Sequence, residues 1–445
     1  MPDTVSAART WWKVLLMLLA GVAALLVVLL IGLRVRYGGG EVGFPDLTTE
    51  PLFSSGVLET VADLELPPGN IAVSAGGRIF FSFHPEAWPE TRVAELVEGE
   101  PVAYPSPAFQ SPGGSEPAAF VSVLSLRIDR QNRLWTLDNA NHGTGQPRLL
   151  AFDLATDEVA HRFDFPRECA GLGSHLNDFQ VDPTGRRIYI ADASIFAQRP
   201  ALVVYDVERR ACRPLLGGHR SVEPEFYTPV VQGRKMQVFG LFAIRPGVDS
   251  IALDRAGEWL YFAPVTDRHI YRVRAADLDN PSLDEEQLAG RVETFAAKTM
   301  SDGISIDVED NLYLTALEHS AIVRLSAEGS LETLVQDDRL RWPDGLSFGP
   351  DGWLYVTCSA LHQVIGRTPG QVRAAAPFQI YRFKPGIEGS PTSRTSASNR
   401  GSDRNRSQIG SMLRKTIQLS RCSQALSSHS RVSSRSPLPE WMAAM

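Results

Sequence analysis

Four polar residues recur at one point of a repeated sequence pattern. They lie in the strings "LNDF", "VDSI", "SDGI" and "PDGL", and they are Asn177, Asp249, Asp302 and Asp344. If the repeats form a closed ring, equivalent positions converge on its axis at similar depth. Three carboxylates and an amide held that closely repel one another unless a positive group lies among them. The spacing therefore predicts a polar site on the axis of a ring.

Such a cluster supports two kinds of chemistry. Hard oxygen ligands suit Ca²⁺, or Mg²⁺ with waters. Without a cation, one carboxylate has a raised pKa and can act as a general base. The structural alternative is that each side chain accepts local backbone N–H groups and stabilises a turn before a strand. The residues alone leave these alternatives open.

A repeat of two short alternating strands around a tight turn positions these residues. One copy reads "ISIDVEDNLYLTA", and the six copies span residues 71–83, 126–138, 179–192, 251–264, 304–316 and 346–357. The alternation and the turn residues predict a β-hairpin in each copy. Intervals of about 40 to 70 residues are typical of propeller blades. We therefore predict an all-β fold, a six-bladed β-propeller over residues 67–386, in preference to a β-sandwich or two smaller β domains.

An apolar run precedes the repeats. From Val14 to Leu33 every residue is apolar or glycine. About twenty apolar residues span the hydrocarbon core of a bilayer, whereas a signal peptide has a shorter apolar stretch and a small-residue cleavage motif. The sequence predicts a transmembrane anchor over 14–33, a cytoplasmic segment over 1–13, and a linker with a propeller-closing strand over 34–66. Two basic residues flank each end of the run, so charge alone leaves the orientation open.

Composition and cysteine content bound the partners and the compartment. The 445-residue chain has a net charge of −7, and an acidic body is a poor nucleic-acid binder. Residues 387–445 are rich in Ser and Arg, which predicts a disordered tail that either contacts an acidic surface or stays solvated. Cys169 and Cys212 could form a disulfide in an exported domain or remain buried thiols.

Predicted loops carry further polar residues that could line the mouth of the ring. They are Asn139, Asn141, His142, His175, Asp178, Glu318, His319 and His362. Exposure on the protein surface is the alternative for each of them. Aromatic residues at equivalent second-strand positions, such as Trp135 and Tyr313, indicate packing between blades rather than a ligand cage.

The repeat strings resemble those of the Yellow/major royal jelly protein family, in its bacterial branch. They are "GRIFFSFHPE", "LWTLD", "LNDFQVD", "SDGISIDVEDNLYLTALEHSAI" and "WPDGLSFGPDGWLYVT", in order between about residues 70 and 386. The resemblance implies a six-bladed propeller. It also implies export, and hence an anchored propeller on the extracytoplasmic side, periplasmic or extracellular. The family is associated with dopachrome conversion or with binding of small amines in the central funnel, and it has no agreed catalytic set.

The axial pattern is similar, more distantly, to that of the gluconolactonase/regucalcin propellers. This similarity implies a divalent cation, Ca²⁺ above all, held by Asp249 and Asp302, with Asp344 completing the carboxylates. It also implies that Asp302 is the base and that Asn177 contacts the substrate. A metal-binding Glu of that pattern has no counterpart in "PPGNIAV", where Asn70 would offer a carbonyl oxygen instead. This departure weakens the case for lactone hydrolysis.

The expected function is binding and conversion of a small polar molecule in the central funnel. The reaction would be a dopachrome-type tautomerisation or a metal-assisted lactone hydrolysis, with Asp302 as the catalytic base. The predicted substrate-binding residues are Asn177, Asp178, Asn139, His175, Glu318 and His362. A non-catalytic amine-binding protein is the alternative, and a protein-interaction scaffold is a second alternative.

Overall fold

Six four-stranded antiparallel sheets account for most of the regular structure. The computed structural model describes residues 3–113, 116–387 and 389. The first strand of each sheet contacts the first strand of the next sheet, and the sixth returns to the first. The predicted six-bladed β-propeller is therefore confirmed. The tail predicted over 387–445 lies outside the described residues, apart from Ile387 and Gly389.

The first half of the chain holds the N-terminal helix and three blades. The helix is α1 (Asp3–Tyr37), followed by strand β1 (Glu59–Leu64). Blade 1 has strands β2 (Pro68–Val73), β3 (Ile79–Phe83), β4 (Val93–Val97) and β5 (Glu100–Ala103). Blade 2 has β6 (Val123–Ile128), β7 (Arg133–Asp138), β8 (Arg148–Asp153) and β9 (Glu158–Asp164), with the short helix α2 (Ala140–Gly143) after β7. Blade 3 has β10 (Leu176–Val181), β11 (Arg187–Asp192), β12 (Ala201–Asp206) and β13 (Ala211–Leu215).

The second half begins with an insertion and completes the ring. Residues 216–247, called the strap below, contain β14 (Val230–Val231), β15 (Arg234–Lys235), β16 (Gln237–Val238) and β17 (Phe242–Ala243). Blade 4 has β18 (Val248–Leu253), β19 (Trp259–Pro264), β20 (His269–Arg274), helices α3 (Ala275–Asp279) and α4 (Glu285–Ala289), and β21 (Glu293–Ala297). Blade 5 has β22 (Ser301–Ile306), β23 (Leu312–Ala316), β24 (Ala321–Leu325) and β25 (Leu331–Gln336). Blade 6 has β26 (Pro343–Phe348), β27 (Leu354–Cys358), helix α5 (Pro369–Ala374) and β28 (Phe378–Phe383).

Strand β1 closes the ring. It pairs antiparallel with β28 and so forms the outer strand of blade 6, far from its neighbours in sequence. The segment before β1 lies along the outer edge of blade 5, where the N–H groups of Leu52 and Phe53 donate to the carbonyls of Thr333 and Leu334. The edges of two blades are thereby covered, which protects them from pairing with other chains.

The hydrophobic core is divided among the contacts between blades. Each neighbouring pair of blades shares its own buried cluster, such as the one that joins Trp135 of blade 2 to Phe179 of blade 3. Tyr313 of blade 5 packs in the same way against blade 6. The alternating strands therefore bury both faces, as sheets stacked face to face require. The cysteines that the sequence left open, Cys169 and Cys212, form a disulfide.

The aspartate of the repeat stabilises the turn between the first two strands of a blade. The carboxylate of Asp307 accepts the backbone N–H groups of Glu309 and Asn311 at 2.8 and 3.0 Å and the hydroxyl of Tyr313 at 3.0 Å. Asp129 accepts equivalent N–H groups and the indole N–H of Trp135. This repeated residue is therefore structural, and it lies at the opposite end of the inner strand from the predicted site.

The strap covers the end of the ring at which the inner strands begin. Its residues Val231 and Met236 are fully buried in one cluster with residues from blades 4, 5, 6 and 1. The Arg234 guanidinium donates to the carbonyls of His362 and Ile365 of blade 6. We call this end of the propeller the loop face.

Helix α1 stands apart from the propeller along most of its length. Within its segment Trp11–Tyr37, a window of 18 residues has a mean hydropathy of 3.3 and is not buried in the protein. Its length and composition are compatible with a membrane anchor or a signal sequence.

Candidate functional site

A β-bulge or register break interrupts every inner strand near its start. The breaks fall between Pro68 and Ile71, Val123 and Ser125, Leu176 and Phe179, Val248 and Ser250, Ser301 and Ile304, and Pro343 and Leu346. The residues inside these breaks include every polar residue of the predicted axial set. A bulge frees a residue from the ladder and re-aims its side chain. The fold therefore positions the axial residues through a bulge or register break that recurs in all six inner strands.

The glycine of the "DG" pair lets neighbouring blades approach at the bulge. A Cβ atom on Gly303 would overlap the carbonyl oxygen of Asp344, and one on Gly345 would lie 2.8 Å from the Cα of Asn70. The hydroxyl of Thr357 accepts the N–H of Gly345 at 2.8 Å and donates to the carbonyl of Gly69 in the next blade. The backbone groups freed by the bulge are therefore satisfied within the protein.

The bulge residues of blades 3 to 6 form a carboxylate cluster at the axis. The amide of Asn177 donates to the carboxyl group of Asp249. Asp178, Asp302 and Asp344 lie close enough to Asp249 to act on its ionisation. The structure thus brings together the four residues of the axial set and places Asp178, predicted as a substrate-binding residue, in the same cluster.

Asp249 and Asp302 form a carboxyl pair. Burial raises the pKa of Asp249 well above its usual range, and the charge of Asp302 and its hydrogen bond to Asp249 raise it further. The indole N–H of Trp342 donates to the Asp302 carboxyl group at 2.6 Å, which holds the side chain in place. Two carboxyl groups in contact do not both ionise without a large cost. Asp249 therefore keeps its proton to a higher pH than an ordinary aspartate does, in contact with the Asp302 carboxyl group.

Asp344 extends the cluster. Burial raises its pKa well above the usual range, and the Asp302 charge adds to the effect. A hydrogen bond with Ser359 acts in the opposite direction. Asp344 therefore increases the proton affinity of the site at neutral pH.

Arg127 supplies a positive group to the cluster. One nitrogen of its guanidinium lies 2.6 Å from both carboxylate oxygens of Asp178, and another donates to the side-chain oxygen of Asn70. The side chains of Arg127 and Asp178 are only 14% and 7% exposed. Burial nevertheless raises the pKa of Asp178, because the Arg127 charge offsets it only in part. The chain thus partly neutralises its own axial carboxylates.

Three predicted substrate contacts have structural partners elsewhere. The side-chain oxygen of Asn139 caps α2 and accepts the N–H of His142. The carboxylate of Glu318 accepts the N–H of Val230 at 2.6 Å, and the ring of His362 lies 3.1 Å from the Gln232 side chain. Asn139 therefore shapes a loop, while Glu318 and His362 hold the strap in place.

His175 belongs to a histidine group beside the carboxylates. Its ring is perpendicular to that of His142, with the centroids 4.4 Å apart, and its buried Nδ1 has no hydrogen-bond partner among the residues that the structure describes. Burial lowers the pKa of His175 well below its usual range, and the neighbouring histidines lower it further. Burial also lowers the pKa of His84, whereas Glu86 and Asp302 act in the opposite direction. His84 thus links this group to the carboxylate pair.

The sequence argument did not include Arg127, Trp342 or His84. Arg127 lies within the string "LRID". The signal that could have indicated it is an arginine at a position of an inner strand that faces the axis. Trp342 directly precedes a "PDG" string, and its positive φ of 51° marks a constrained backbone. His84 ends a strand of blade 1 and has no counterpart in the repeat, so no pattern indicates it.

The fit of a divalent cation to the axis is partial. The carboxylates of Asp249, Asp302 and Asp344 are hard oxygen ligands of the kind that Ca²⁺ prefers. The side-chain oxygen of Asn70, the fourth predicted ligand, already accepts from Arg127 and from the N–H of Ile71. Three of the four residues could therefore hold a cation, beside a fixed guanidinium that opposes it.

A second acidic group lies at the rim of blade 4. Among the described residues, Glu225, Asp267 and His269 bring potential ligand atoms within 4.8 Å of one another. Glu225 is paired with Arg268 at 2.7 Å, and Asp267 accepts the hydroxyl of Tyr271 at 3.0 Å. Internal partners thus already occupy much of the ligand capacity of this group.

A cavity lies between the inner strands toward the end of the ring opposite the strap. Its volume is about 110 Å³, and it is lined by inner-strand residues from all six blades, among them Arg127, Gln180 and Ser305. It extends to the turns between the first and second strands, at Asp129 and Pro183. The strap therefore covers the axial site on the loop face, and the cavity shares Arg127 with the cluster from the opposite side.

The fold and site define a six-bladed propeller with a polar site on its axis. The family model described as "Major royal jelly protein" matches residues 121–381. The chain belongs to the major royal jelly protein family, and the resemblance of its blade strings is confirmed.

The chain is similar to several honeybee proteins of this family. It is 25% identical over 236 residues to major royal jelly protein 3 of Apis mellifera, covering 51% of this chain and 42% of that protein. It is 24% identical over 228 residues to major royal jelly protein 1, covering 46% and 50%. The chain thus spans about half the length of the curated relatives it matches.

Solved propellers share the architecture. A gluconolactonase from Xanthomonas campestris covers 74% of this chain and 88% of its own, with a TM-score of 0.45 and 12% identity. The calcium-binding protein regucalcin from Agrobacterium tumefaciens covers 78% and 100%, with a TM-score of 0.48 and 16% identity. Similarity at this level concerns the fold and carries no functional argument.

Proposed function

We propose that the propeller binds a small polar molecule at its axial carboxylates and moves a proton on it. The observation that carries this proposal is the Asp249–Asp302 pair, in which a buried carboxyl group with a raised pKa lies in contact with a second carboxyl group. Pairs of titratable groups whose environments separate their proton affinities are typical of acid–base catalysis. The class of reaction that such a pair serves best is tautomerisation.

In this mechanism Asp302 removes a proton from the substrate and Asp249 delivers one at a second position. Substrate and product then differ only in the position of a proton, so no cofactor is needed. The indole of Trp342 fixes the Asp302 carboxylate, and the amide of Asn177 fixes Asp249. A dopachrome-type quinone, which isomerises by such a proton shift, is the substrate class that membership of this family suggests.

The excess of carboxylates favours a second candidate, the binding of a small amine. Asp178, Asp249, Asp302 and Asp344 share one guanidinium within the cluster, that of Arg127. A protonated amine would supply part of the missing positive charge and would pair with Asp302 or Asp344. Binding without conversion is the outcome that this candidate predicts.

A divalent cation would serve the same electrostatic purpose. Ca²⁺ would be held by Asp249, Asp302 and Asp344, and it would polarise a bound carbonyl, as ring opening of a lactone requires. The Arg127 guanidinium and the engaged oxygen of Asn70 make this candidate weaker than metal-free proton transfer.

For the location of the protein, we infer a single-pass anchor with the propeller outside the cytoplasm. The apolar helix α1 supports the anchor. The Cys169–Cys212 disulfide supports an oxidising compartment, because such bonds are rare in the cytosol.

The test compares full-length wild type with Asp302→Asn and Asp249→Asn in detergent. Decay of dopachrome is followed optically and the product is identified by chromatography. Asp302→Asn should reduce turnover by about 10²-fold or more, since it removes the base and keeps the shape of the side chain. Asp338→Asn, at an exposed position on the strap side of blade 5, is the matched control.

Several outcomes separate the candidates. Full turnover by Asp302→Asn would refute the assignment of the base. Saturable binding of an amine by calorimetry, with no product from any substrate, would favour the binding protein. A third outcome would favour the metal-assisted hydrolase. A chelator would abolish the activity of the wild type, and Ca²⁺ would restore it in the wild type but not in Asp249→Asn.

A further inference from the structure

Hydrogen bonds join the last turn of helix α1 directly to the loop face, with no linker between them. The Arg34 guanidinium donates to the carbonyl of Gly240 in the strap at 2.6 Å, and the Tyr37 hydroxyl donates to the carbonyl of Phe196 in blade 3 at 2.9 Å. The N–H of Glu41 then donates to the carbonyl of Phe226 at 2.9 Å. The last turn of the helix is therefore bound to two separate parts of the loop face.

These contacts fix the distance between a membrane and the propeller. The apolar run ends at Leu33, and the four residues to Tyr37 rise by about 6 Å along a helix. Each interfacial layer of a bilayer is about 5 to 7 Å thick. If α1 spans a bilayer, the loop face thus lies at the level of the headgroups.

Large apolar side chains are exposed on this same face. Phe239, at the tip of the β16–β17 hairpin, is 81% exposed, and Phe226 of the strap is 54% exposed. Leu172 is 71% exposed in the loop before β10, next to Gly173, which packs against Ala197. Ala197 in turn accepts a hydrogen bond from Arg36 of the helix. The three apolar side chains therefore surround the base of α1.

We propose that the loop face of the propeller lies against the bilayer that holds α1, with Phe226, Phe239 and Leu172 inserted among the lipid headgroups. Aromatic side chains are stable at that depth, where an apolar ring and polar surroundings meet. The guanidinium of Arg245, over the Phe226 ring at 4.4 Å, supplies a cation at the same level. This proposal rests on the membrane anchor of the proposed function.

The docking has a consequence for access to the axial site. The strap would lie between the carboxylates and the lipid, and the axial cavity extends to the turns between first and second strands, on the face that would point away from the membrane. A ligand would therefore reach the axis from the aqueous side.

The test uses the full chain reconstituted in nanodiscs that contain zwitterionic and anionic lipids. Nitroxide labels are attached to Phe239→Cys and, separately, to Leu172→Cys. Glu309→Cys, exposed in a turn on the opposite face, is the control. Cys422→Ser is included in each variant, and Cys358 is buried. Power-saturation measurements then compare collisions with oxygen, which partitions into lipid, and with a water-soluble nickel complex.

Labels at 239 and 172 should lose accessibility to nickel and gain accessibility to oxygen relative to the label at 309. Equal nickel accessibility at all three positions, with protein retained after a carbonate wash, would overturn the docking and leave the anchor intact. Release by carbonate would overturn both. Spin–spin broadening at 239 would overturn the docking by showing a second copy on this face.

Discussion

Lys298 offers a direct test of the electrostatics near the axis. The residue is fully buried just before the inner strand of blade 5. Its ammonium donates to the carbonyls of Val265 and Thr299 at 2.9 and 3.3 Å. Burial lowers the pKa of Lys298 to about 7, although the charges of Asp267 and Glu225 act in the opposite direction. We predict that Lys298→Met stabilises the protein at neutral pH.

The magnitude follows from the shift. A pKa lowered from 10.5 to about 7 corresponds to a cost of roughly 5 kcal/mol for the charged lysine in the folded state. Methionine removes that cost but leaves two carbonyls without their donor. Each such loss costs about 1 to 3 kcal/mol, and the lower end of that range, about 2 kcal/mol for the pair, suits carbonyls because they are the more tolerant of the backbone groups. The net gain in unfolding free energy should be about 2 kcal/mol at pH 7.

The sign of the pH dependence follows from linkage. Because the folded pKa is depressed, the unfolded chain binds more protons between about pH 7 and 10.5, and wild-type stability rises with pH across that window. The slope from this group is up to about 1.4 kcal/mol per pH unit. The advantage of Lys298→Met should therefore vanish and then reverse as the pH approaches about 9.

The assay is guanidinium unfolding of the full chain in detergent between about pH 6.5 and 9. Lys235→Met, which replaces an exposed lysine of the strap, is the matched control and should show no pH-dependent difference from wild type. A difference between Lys298→Met and wild type that stays constant over this range would refute the argument, because it would show that Lys298 titrates normally.

Two further variants test the axis and the contacts between blades. Arg127→Met should destabilise the protein by about 3 kcal/mol at pH 8, because it leaves the buried carboxylate of Asp178 unpaired. Thermal melts should show a smaller loss of stability at pH 5 and recovery in Arg127→Met/Asp178→Asn. An unchanged melting temperature at pH 8 would contradict the pairing. Thr357→Val should lower the free energy of unfolding by about 1 to 3 kcal/mol, because it leaves the N–H of Gly345 and the carbonyl of Gly69 without this partner. Denaturant midpoints measure the loss, and a loss no larger than that of Thr156→Val, at an exposed position, would count against the argument.

The ring could be predicted from the sequence because its signals are local. Each hairpin carries its own alternation and its own turn aspartate, such as Asp307, and six copies at similar intervals require a closed arrangement. The axial position of Asp249 and Asp302 followed from symmetry, although the bulges that aim them leave no separate mark in the sequence.

The strap and the neutralisation of the site lay beyond sequence reasoning for physical reasons. The strands of the strap are two residues long, too short to show a period, and its place depends on distant partners such as Glu318. Arg127 occurs in only one copy of the repeat, so symmetry gave no reason to select it. Its contact with Asn70 joins blades 1 and 2 and depends on how these two blades pack, which the sequence of either blade does not show.

The closing strand β1 constrains the order in which parts of the ring can form during synthesis and folding. The side chains of Glu59 in β1 and Arg382 in β28 pair across 323 positions of the chain. Strand β1 therefore emerges early, directly after the helix, and has no partner until the last blade has been synthesised. A loop of that length costs more entropy to close than any single blade does. The pairing of β1 with β28 should thus be the last part of the ring to form, and incomplete chains would keep an open edge on blade 6.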